Sequence, residues 1–260
     1  MPEVTARRDG PIGRVVIAHP EKLNAMNLAM WEALPPLLQA LDADPEVRLV
    51  VIEGEGERAF VAGGDISEFE SQRDAAESRA RYDAAVEAAY LAPGRCGKPV
   101  VAKIRGICMG GGLGLAAACD LRFCTDDSRF RMPAARLGLG YGAGGVDRFL
   151  TVLGLQNTLD VFFSARVFDA ADALRMGFVS RVEPRASFDA AVDAWCTMVA
   201  ENAPLTLRAV KLTTAQLMRD GGERDMAAAK AAIAACFASD DHLEGARAFM
   251  EKRTPVFTGR

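Results

Sequence analysis

Five short apolar runs, each separated from the next by helical periodicity or a glycine turn, constrain this chain more than any other feature. Ile12 to Ala18, Leu49 to Glu53, Pro99 to Ile104, Leu121 to Cys124 and Phe178 to Val182 are bounded by Gly, Pro or charge and read as strands. Met30, Leu34, Leu37, Leu38 and Leu41 recur at helical spacing after Asn27, which suits an N-cap, while Pro35 and Pro36 predict a kink or restart. Alternation of this kind defines an α/β protein and excludes all-α and all-β classes. From about Ser187 the strand signals stop. Helical stretches follow at Phe188 to Ala200, Leu205 to Met218, Arg224 to Phe237 and Leu243 to Lys252, punctuated by Pro204, Gly221-Gly222 and Ser239-Asp240-Asp241. The expected organisation is an α/β core over residues 1–200 and a helical C-terminal region over 201–260.

Half of the 260 residues are apolar, ample for one closed core. A net charge of -4 gives no general attraction to nucleic acid or to an anionic membrane. The longest uncharged run, Gly106 to Cys119, is glycine-rich and falls short of the ~18 to 20 residues of a spanning helix. None of the six cysteines forms a CxxC pair, so they read as small buried hydrophobes in a reducing compartment. The opening MPEVTARRDGPIGR carries charge, Gly and Pro where a secretory segment would be apolar. A cytoplasmic protein bound to neither membrane nor nucleic acid is expected.

Elimination narrows the chemistry. The two histidines, His19 and His242, have no metal-ligand partner nearby in sequence and read as structural or surface residues. HExxH, GxSxG and GxxxxGK[ST] are all absent. What remains is two glycine clusters: Ala62-Gly63-Gly64-Asp65-Ile66 after the short run Arg58 to Val61, and Gly110-Gly111-Gly112 before the small-residue helix Leu113 to Ala118. Glycine lets a backbone N–H approach a ligand closely, and a helix start adds unpaired donors with partial positive charge. Two such groups converging on one oxygen would form an oxyanion hole; glycine-rich turns also serve purely structural ends.

The ordered segments PEKLNAM (Pro20 to Met26), AFVAGGDI (Ala59 to Ile66), GICMGGGLGLAAACDLR (Gly106 to Arg122), RLGLGYGAGG (Arg136 to Gly145), RVFDAADALRMGFVSRV (Arg166 to Val182) and FMEKRTPVF (Phe249 to Phe257) resemble the crotonase, or enoyl-CoA hydratase/isomerase, superfamily over nearly the whole chain. The resemblance implies a spiral of ββα units with a helical C-terminal region that builds homotrimers, often paired into hexamers. It implies an acyl-CoA thioester whose oxygen is held by the N–H groups of Gly64 and Gly111, with Asp65 bracing the first turn. Carried over by motif position, the CoA nucleotide lies near Lys22, Leu23 and Ala25, and the pantetheine crosses Ala62 and Ile66. Phe249 and Lys252 reach the CoA of a neighbouring subunit. No cofactor is implied beyond the CoA that the substrate carries.

The chain departs from the hydratase pattern in two places. Where hydratases of this superfamily have a glutamate two residues after the glycine cluster, it has Gly114; where a second glutamate follows a proline, it has Ala134 after Pro133. Neither can move a proton, and each positioned acid or base contributes roughly 10² to 10⁴ in rate. Tyr141 stands at the end of the stretch Leu137-Gly138-Leu139-Gly140-Tyr141, as in methylmalonyl-CoA decarboxylases of the superfamily, although those have a His where this chain has Gly64. Decarboxylation needs an oxyanion hole and a weak acid such as a phenol, but no strong base. Arg136 fits a substrate carboxylate or a structural salt bridge, and Glu68 and Asp147 are displaced acids or bases or solvated helix faces. Enolate-forming lyase chemistry is the expected activity. A hydratase or isomerase with a relocated acid or base, a retro-Claisen hydrolase, a non-catalytic acyl-CoA binder and a ligand-free scaffold remain the alternatives.

Overall fold

The computed structural model describes residues 1–65 and 75–260. Two sheets and a set of surrounding helices make up the architecture. The larger sheet has the order β1 (Glu3–Asp9), β2 (Ile12–Ala18), β3 (Leu49–Gly54), β5 (Val100–Ile104), β7 (Leu121–Thr125), β10 (Arg181–Glu183); β1 is antiparallel to β2 and every later pairing is parallel. The smaller sheet runs β4 (Ala59–Val61), β6 (Ile107–Met109), β8 (Arg129–Arg131), β9 (Phe168–Asp169), with β4, β6 and β8 parallel and β9 antiparallel. Because β5 leads directly into β6, and β7 into β8, each turn of chain lays one strand in each sheet before a helix carries it onward. That is the spiral of ββα units that the resemblance implies.

Burial on both faces explains why the central strands are apolar throughout. Val50, Ile52, Val100, Ala102 and Ile104 point into the main core with Met30, Trp31, Leu34 and Leu38 of α1 (Leu28–Ala43). Their neighbours Leu49, Val51 and Val101 point outward onto Phe188, Val192 and Cys196 of α6 (Phe188–Ala200). Charge locks that helix in place. Arg14 Nη2 lies 2.7 Å from Asp193 Oδ1, and Lys103 Nζ lies 3.2 Å from Glu53 and 2.7 Å from Asp189. The remaining helices are α2 (Ala75–Arg95), α3 (Gly111–Ala118), α4 (Ala143–Ser164), α5 (Ala170–Arg175), α7 (Pro204–Leu217), α8 (Met226–Phe237) and α9 (Asp240–Glu251). No helix among the described residues is long and apolar enough to cross a membrane.

Two expectations need correction. Pro35 and Pro36 neither break nor restart α1, which runs unbroken for 16 residues from its Asn27 cap, whose side chain accepts the Met30 N–H at 2.9 Å. Proline removes backbone donors but keeps a helical φ, and burial of Leu34 and Leu38 on either side holds the turn. Phe178 and Val179 are buried but precede the strand, which starts at Arg181. Phe178 is instead enclosed by aromatic rings, 5.5 Å from Phe130 and 6.3 Å from Phe168.

All six cysteines are free thiols and five are buried. Burial pushes Cys96 and Cys196 up to about 11, and Cys119 and Cys124 up to about 12, from an ordinary 9.0. The folded chain therefore holds protons that the unfolded chain has released between pH 9 and these values, so stability is whole below pH 9 and is lost as pH climbs through that window. Urea unfolding should give a clearly lower midpoint at about pH 10.5 than at about pH 7.5. An unchanged midpoint would contradict this burial.

Candidate active site

The site begins with the parallel pairing of β4 and β6 in the smaller sheet. Parallel neighbours end on the same side, so the glycine turns that follow each strand are carried to one edge. The two turns touch: a Cβ placed on Gly63 would lie 3.5 Å from the Met109 carbonyl and 3.8 Å from the Gly111 nitrogen. Gly63 has a φ of 126°, a conformation L side chains rarely adopt, which explains the glycine there.

A second backbone segment fixes the direction of the first turn. The Met26 N–H donates to the Gly63 carbonyl and the Asp65 N–H donates to the Met26 carbonyl, both at 2.9 Å, in a parallel bridge centred on Gly64. Residues 63 and 65 thus use the side facing Met26, and the N–H of Gly64 faces away from it. The Ala62 N–H donates to the Leu23 carbonyl at 3.1 Å, and the Lys22 ammonium lies 2.7 Å from Asp65 Oδ2. Leu23 and Asn24 both take left-handed backbone conformations, and the buried Asn24 side chain holds the bend by donating to the Glu55 and Ala59 carbonyls while accepting the His19 N–H. His19 is buried with its ring against the Ala25 carbonyl at 2.8 Å, a structural role matching its reading from sequence.

The second donor comes from α3. Gly111 is its first residue, so its N–H has no carbonyl one turn back, and it faces the positive end of the helix. Gly64 and Gly111 are half-buried and remain reachable, while Gly63 and Gly112 beside them are buried.

Sequence reasoning missed the aromatic wall behind these turns. All three tyrosines of the chain converge here. Tyr82 on α2 places its hydroxyl against Gly64, where it accepts the Trp31 Nε1–H at 3.0 Å. Tyr90, one helical stretch further on, donates its hydroxyl to the Gly111 carbonyl at 3.0 Å and stands edge-on to Trp31. Tyr141 enters from the loop before α4. Gly114 is where they meet: a Cβ on it would lie 2.5 Å from the Tyr90 hydroxyl and 2.9 Å from that of Tyr141. The space a side chain at 114 would need is filled by two phenols. A signal was available in the scarcity of tyrosine and in the eight-residue spacing of Tyr82 and Tyr90, which puts both on the inner side of one helix.

Both phenols stay protonated at neutral pH. Burial drives Tyr90 well above its ordinary value, and the neighbouring Tyr141 raises it further. Burial also raises Tyr141, but here the Tyr90 hydroxyl and the Arg148 guanidinium pull in the opposite direction. The Tyr141 hydroxyl is buried and has no hydrogen-bond partner of acceptable geometry among the described residues, and the same holds for Arg148 Nη1.

Other residues fall elsewhere. Ala134 is buried at the start of a short 3-10 turn, Ala134–Arg136. Arg136 is exposed and makes no ion pair among the described residues, so the structural salt bridge weighed for it is not formed. Asp147 is exposed, and Ile66 and Glu68 lie outside the described residues. Phe249 and Lys252 are exposed on α9 and at its left-handed cap. A largely apolar cavity of about 640 Å³ among α7, α8, α9 and Phe257 is separate from the glycine turns. No cluster of three or more His, Cys, Asp or Glu residues suited to a metal ion occurs among the described residues.

Two sheets wound in ββα units around a pair of facing glycine turns define an enzyme fold class that the known proteins identify. Residues 7–260 match the Enoyl-CoA hydratase/isomerase family, and the chain belongs to it. It is 30% identical to a short-chain-enoyl-CoA hydratase of Clostridium acetobutylicum over 251 residues, covering 96% of this chain and 95% of that one. It is 28% identical to a peroxisomal Delta(3,5)-Delta(2,4)-dienoyl-CoA isomerase of Arabidopsis thaliana, covering 96% of this chain and 93% of the relative. Among solved structures, an enoyl-CoA hydratase/carnithine racemase from Magnetospirillum magneticum superimposes with a TM-score of 0.92 at 32% identity, covering 99% of this chain and 96% of that one.

The two glycine turns respond differently to added bulk. A Cβ on Gly112 would collide with the Val61 backbone, which cannot yield without moving β4. Gly112→Ala should therefore cost about 3 kcal/mol in urea unfolding, at the upper end of overpacking costs. At Gly64 the obstacle is the Tyr82 hydroxyl, the far end of a movable side chain. Gly64→Ala should leave the melting temperature near that of the parent and weaken acyl-CoA binding in calorimetry without abolishing it; equal destabilisation of the two variants would contradict this geometry.

Proposed function

We propose that this chain is an acyl-CoA enzyme that stabilises a thioester enolate between the N–H groups of Gly64 and Gly111, and that it forms this enolate by decarboxylating a malonyl-type thioester, with Tyr141 returning a proton to carbon. The observation that carries the reading is the pair of phenols at Gly114. A phenol held protonated by burial can give a proton to a carbanion but cannot take one from a thioester α-carbon at neutral pH. Loss of CO₂ generates the enolate without a base, so an oxyanion hole and a weak acid suffice. By the resemblance, Gly114 and Ala134 stand where hydratases carry their glutamates, and the space at 114 has no room for a carboxylate beside Tyr90 and Tyr141. In this reading Lys22, Leu23, Ala25, Ala62 and Ile66 line the path of the CoA, and Asp65, paired with Lys22, braces the turn that presents Gly64. Phe249 and Lys252 meet the CoA of a neighbouring copy in a trimer or hexamer.

A second reading is hydration or isomerisation of an enoyl-CoA with an acid or base drawn from elsewhere. It is favoured by the names that the relatives carry, and by Glu87, an exposed carboxylate whose Oε1 would lie 3.4 Å from a Cβ on Gly144, close to Tyr141.

Incubation with malonyl-CoA, methylmalonyl-CoA, crotonyl-CoA and a β,γ-enoyl-CoA in D₂O, followed by mass spectrometry, separates these. The expected result is CO₂ loss with one deuterium at Cα, slowed about 10²-fold by Tyr141→Phe. Hydrated crotonyl-CoA would support the second reading instead. Binding of every thioester without a change of mass would mean a non-catalytic acyl-CoA binder.

A further inference from the structure

We propose that Tyr90 is a positioning residue for this proton transfer: held between the Gly111 carbonyl and the Tyr141 hydroxyl, it supplies the hydrogen bond that the Tyr141 oxygen needs once its proton has left. The inference rests on the reading of Tyr141 as the acid and adds a residue that the sequence motifs do not single out.

Geometry carries it. Tyr90 is buried, and its ring is fixed on one edge by Trp31 at 5.8 Å and on one face by the Arg148 guanidinium at 5.2 Å. Its hydroxyl can therefore rotate its proton but cannot leave the site. In the resting state that proton goes to the Gly111 carbonyl, while the Tyr141 hydroxyl beside it has no partner of acceptable geometry among the described residues. A buried hydroxyl left in this condition costs stability, and its persistence in the fold calls for a functional reason. Gly111 opens α3, so its carbonyl also faces the Leu115 N–H one turn on and loses little when Tyr90 turns away.

The step balances as follows. Loss of CO₂ leaves the enolate; its carbon–carbon π pair takes the proton of Tyr141, forming a Cα–H bond and breaking the Tyr141 O–H bond. The bonding pair stays on the Tyr141 oxygen as a phenolate. The Tyr90 O–H rotates from the Gly111 carbonyl to this phenolate, and water then returns a proton to Tyr141, its hydroxide combining with CO₂ as bicarbonate. The two phenols are not interchangeable. Each environment pushes them apart, since Tyr141 is eased toward ionisation by Tyr90 and Arg148 whereas Tyr90 is held protonated by burial and by Tyr141.

The test compares Tyr90→Phe, Tyr141→Phe and the double variant in the deuterium-incorporation assay, alongside the near-ultraviolet phenolate titration. Tyr90→Phe should lower kcat about tenfold with KM within about twofold, and the double variant should be no slower than Tyr141→Phe, because residues acting in one step are non-additive. The titration does not depend on turnover. With Tyr82→Phe as the common background, removing the Tyr90 hydroxyl leaves Tyr141 as the one tyrosine and should move its ionisation to higher pH. Full activity in Tyr90→Phe, independent additive losses, or an unmoved titration would each overturn the role of Tyr90. Normal activity in Tyr141→Phe would overturn the acid assignment beneath it.

Discussion

Everything at the candidate site depends on the parallel pairing of β4 with β6. Three residues in each strand suffice to bring two glycine turns, more than 40 positions apart in sequence, onto one edge of the smaller sheet. The Met26 bridge then consumes the hydrogen-bonding side of residues 63 and 65, which leaves the Gly64 N–H directed away from Met26. Neither donor is aimed by its own side chain; both are aimed by what their neighbours have already bonded. Preorganised backbone donors of this kind need no rearrangement when charge develops on a bound oxygen.

The second level of organisation is volume. Gly114 has no side chain, and the space is taken by hydroxyls from two elements that enter from opposite directions, α2 and the loop before α4. Trp31 from α1 and Arg148 from α4 hold Tyr90 from the edge and the face. The space beside Gly114 is thus occupied by aromatic groups remote in sequence.

This explains what could be read from the sequence. Four strands of the larger sheet, β2, β3, β5 and β7, were legible because burial makes them nearly continuously apolar, and α6, α7 and α8 because their periodicity is uninterrupted; the mostly exposed β1 was not read, and β10 was read too early. The smaller sheet was not, since strands of two or three residues such as Ile107–Met109 are too short to establish a period. The glycine turns were visible as motifs, and their convergence followed from resemblance. The spacing of Tyr82 and Tyr90 hinted at a shared helix face, but the place of Tyr90 was not legible, because it lies in a contact with Gly111 across 21 residues and in the filling of the side-chain space at Gly114, neither of which leaves a local pattern. The unbroken α1 illustrates the reverse case, where a strong local signal at Pro35 and Pro36 yields to the packing of its buried face.

In the proposed site Gly64 and Gly111 polarise a thioester carbonyl. Isotope-edited infrared spectroscopy of a carbonyl-labelled, non-reacting acyl-CoA bound to the protein measures this directly. The carbonyl stretch should move to lower frequency on binding and return toward its solution value in Gly64→Ala. A thioester that binds with its carbonyl frequency unchanged in the parent protein would contradict it.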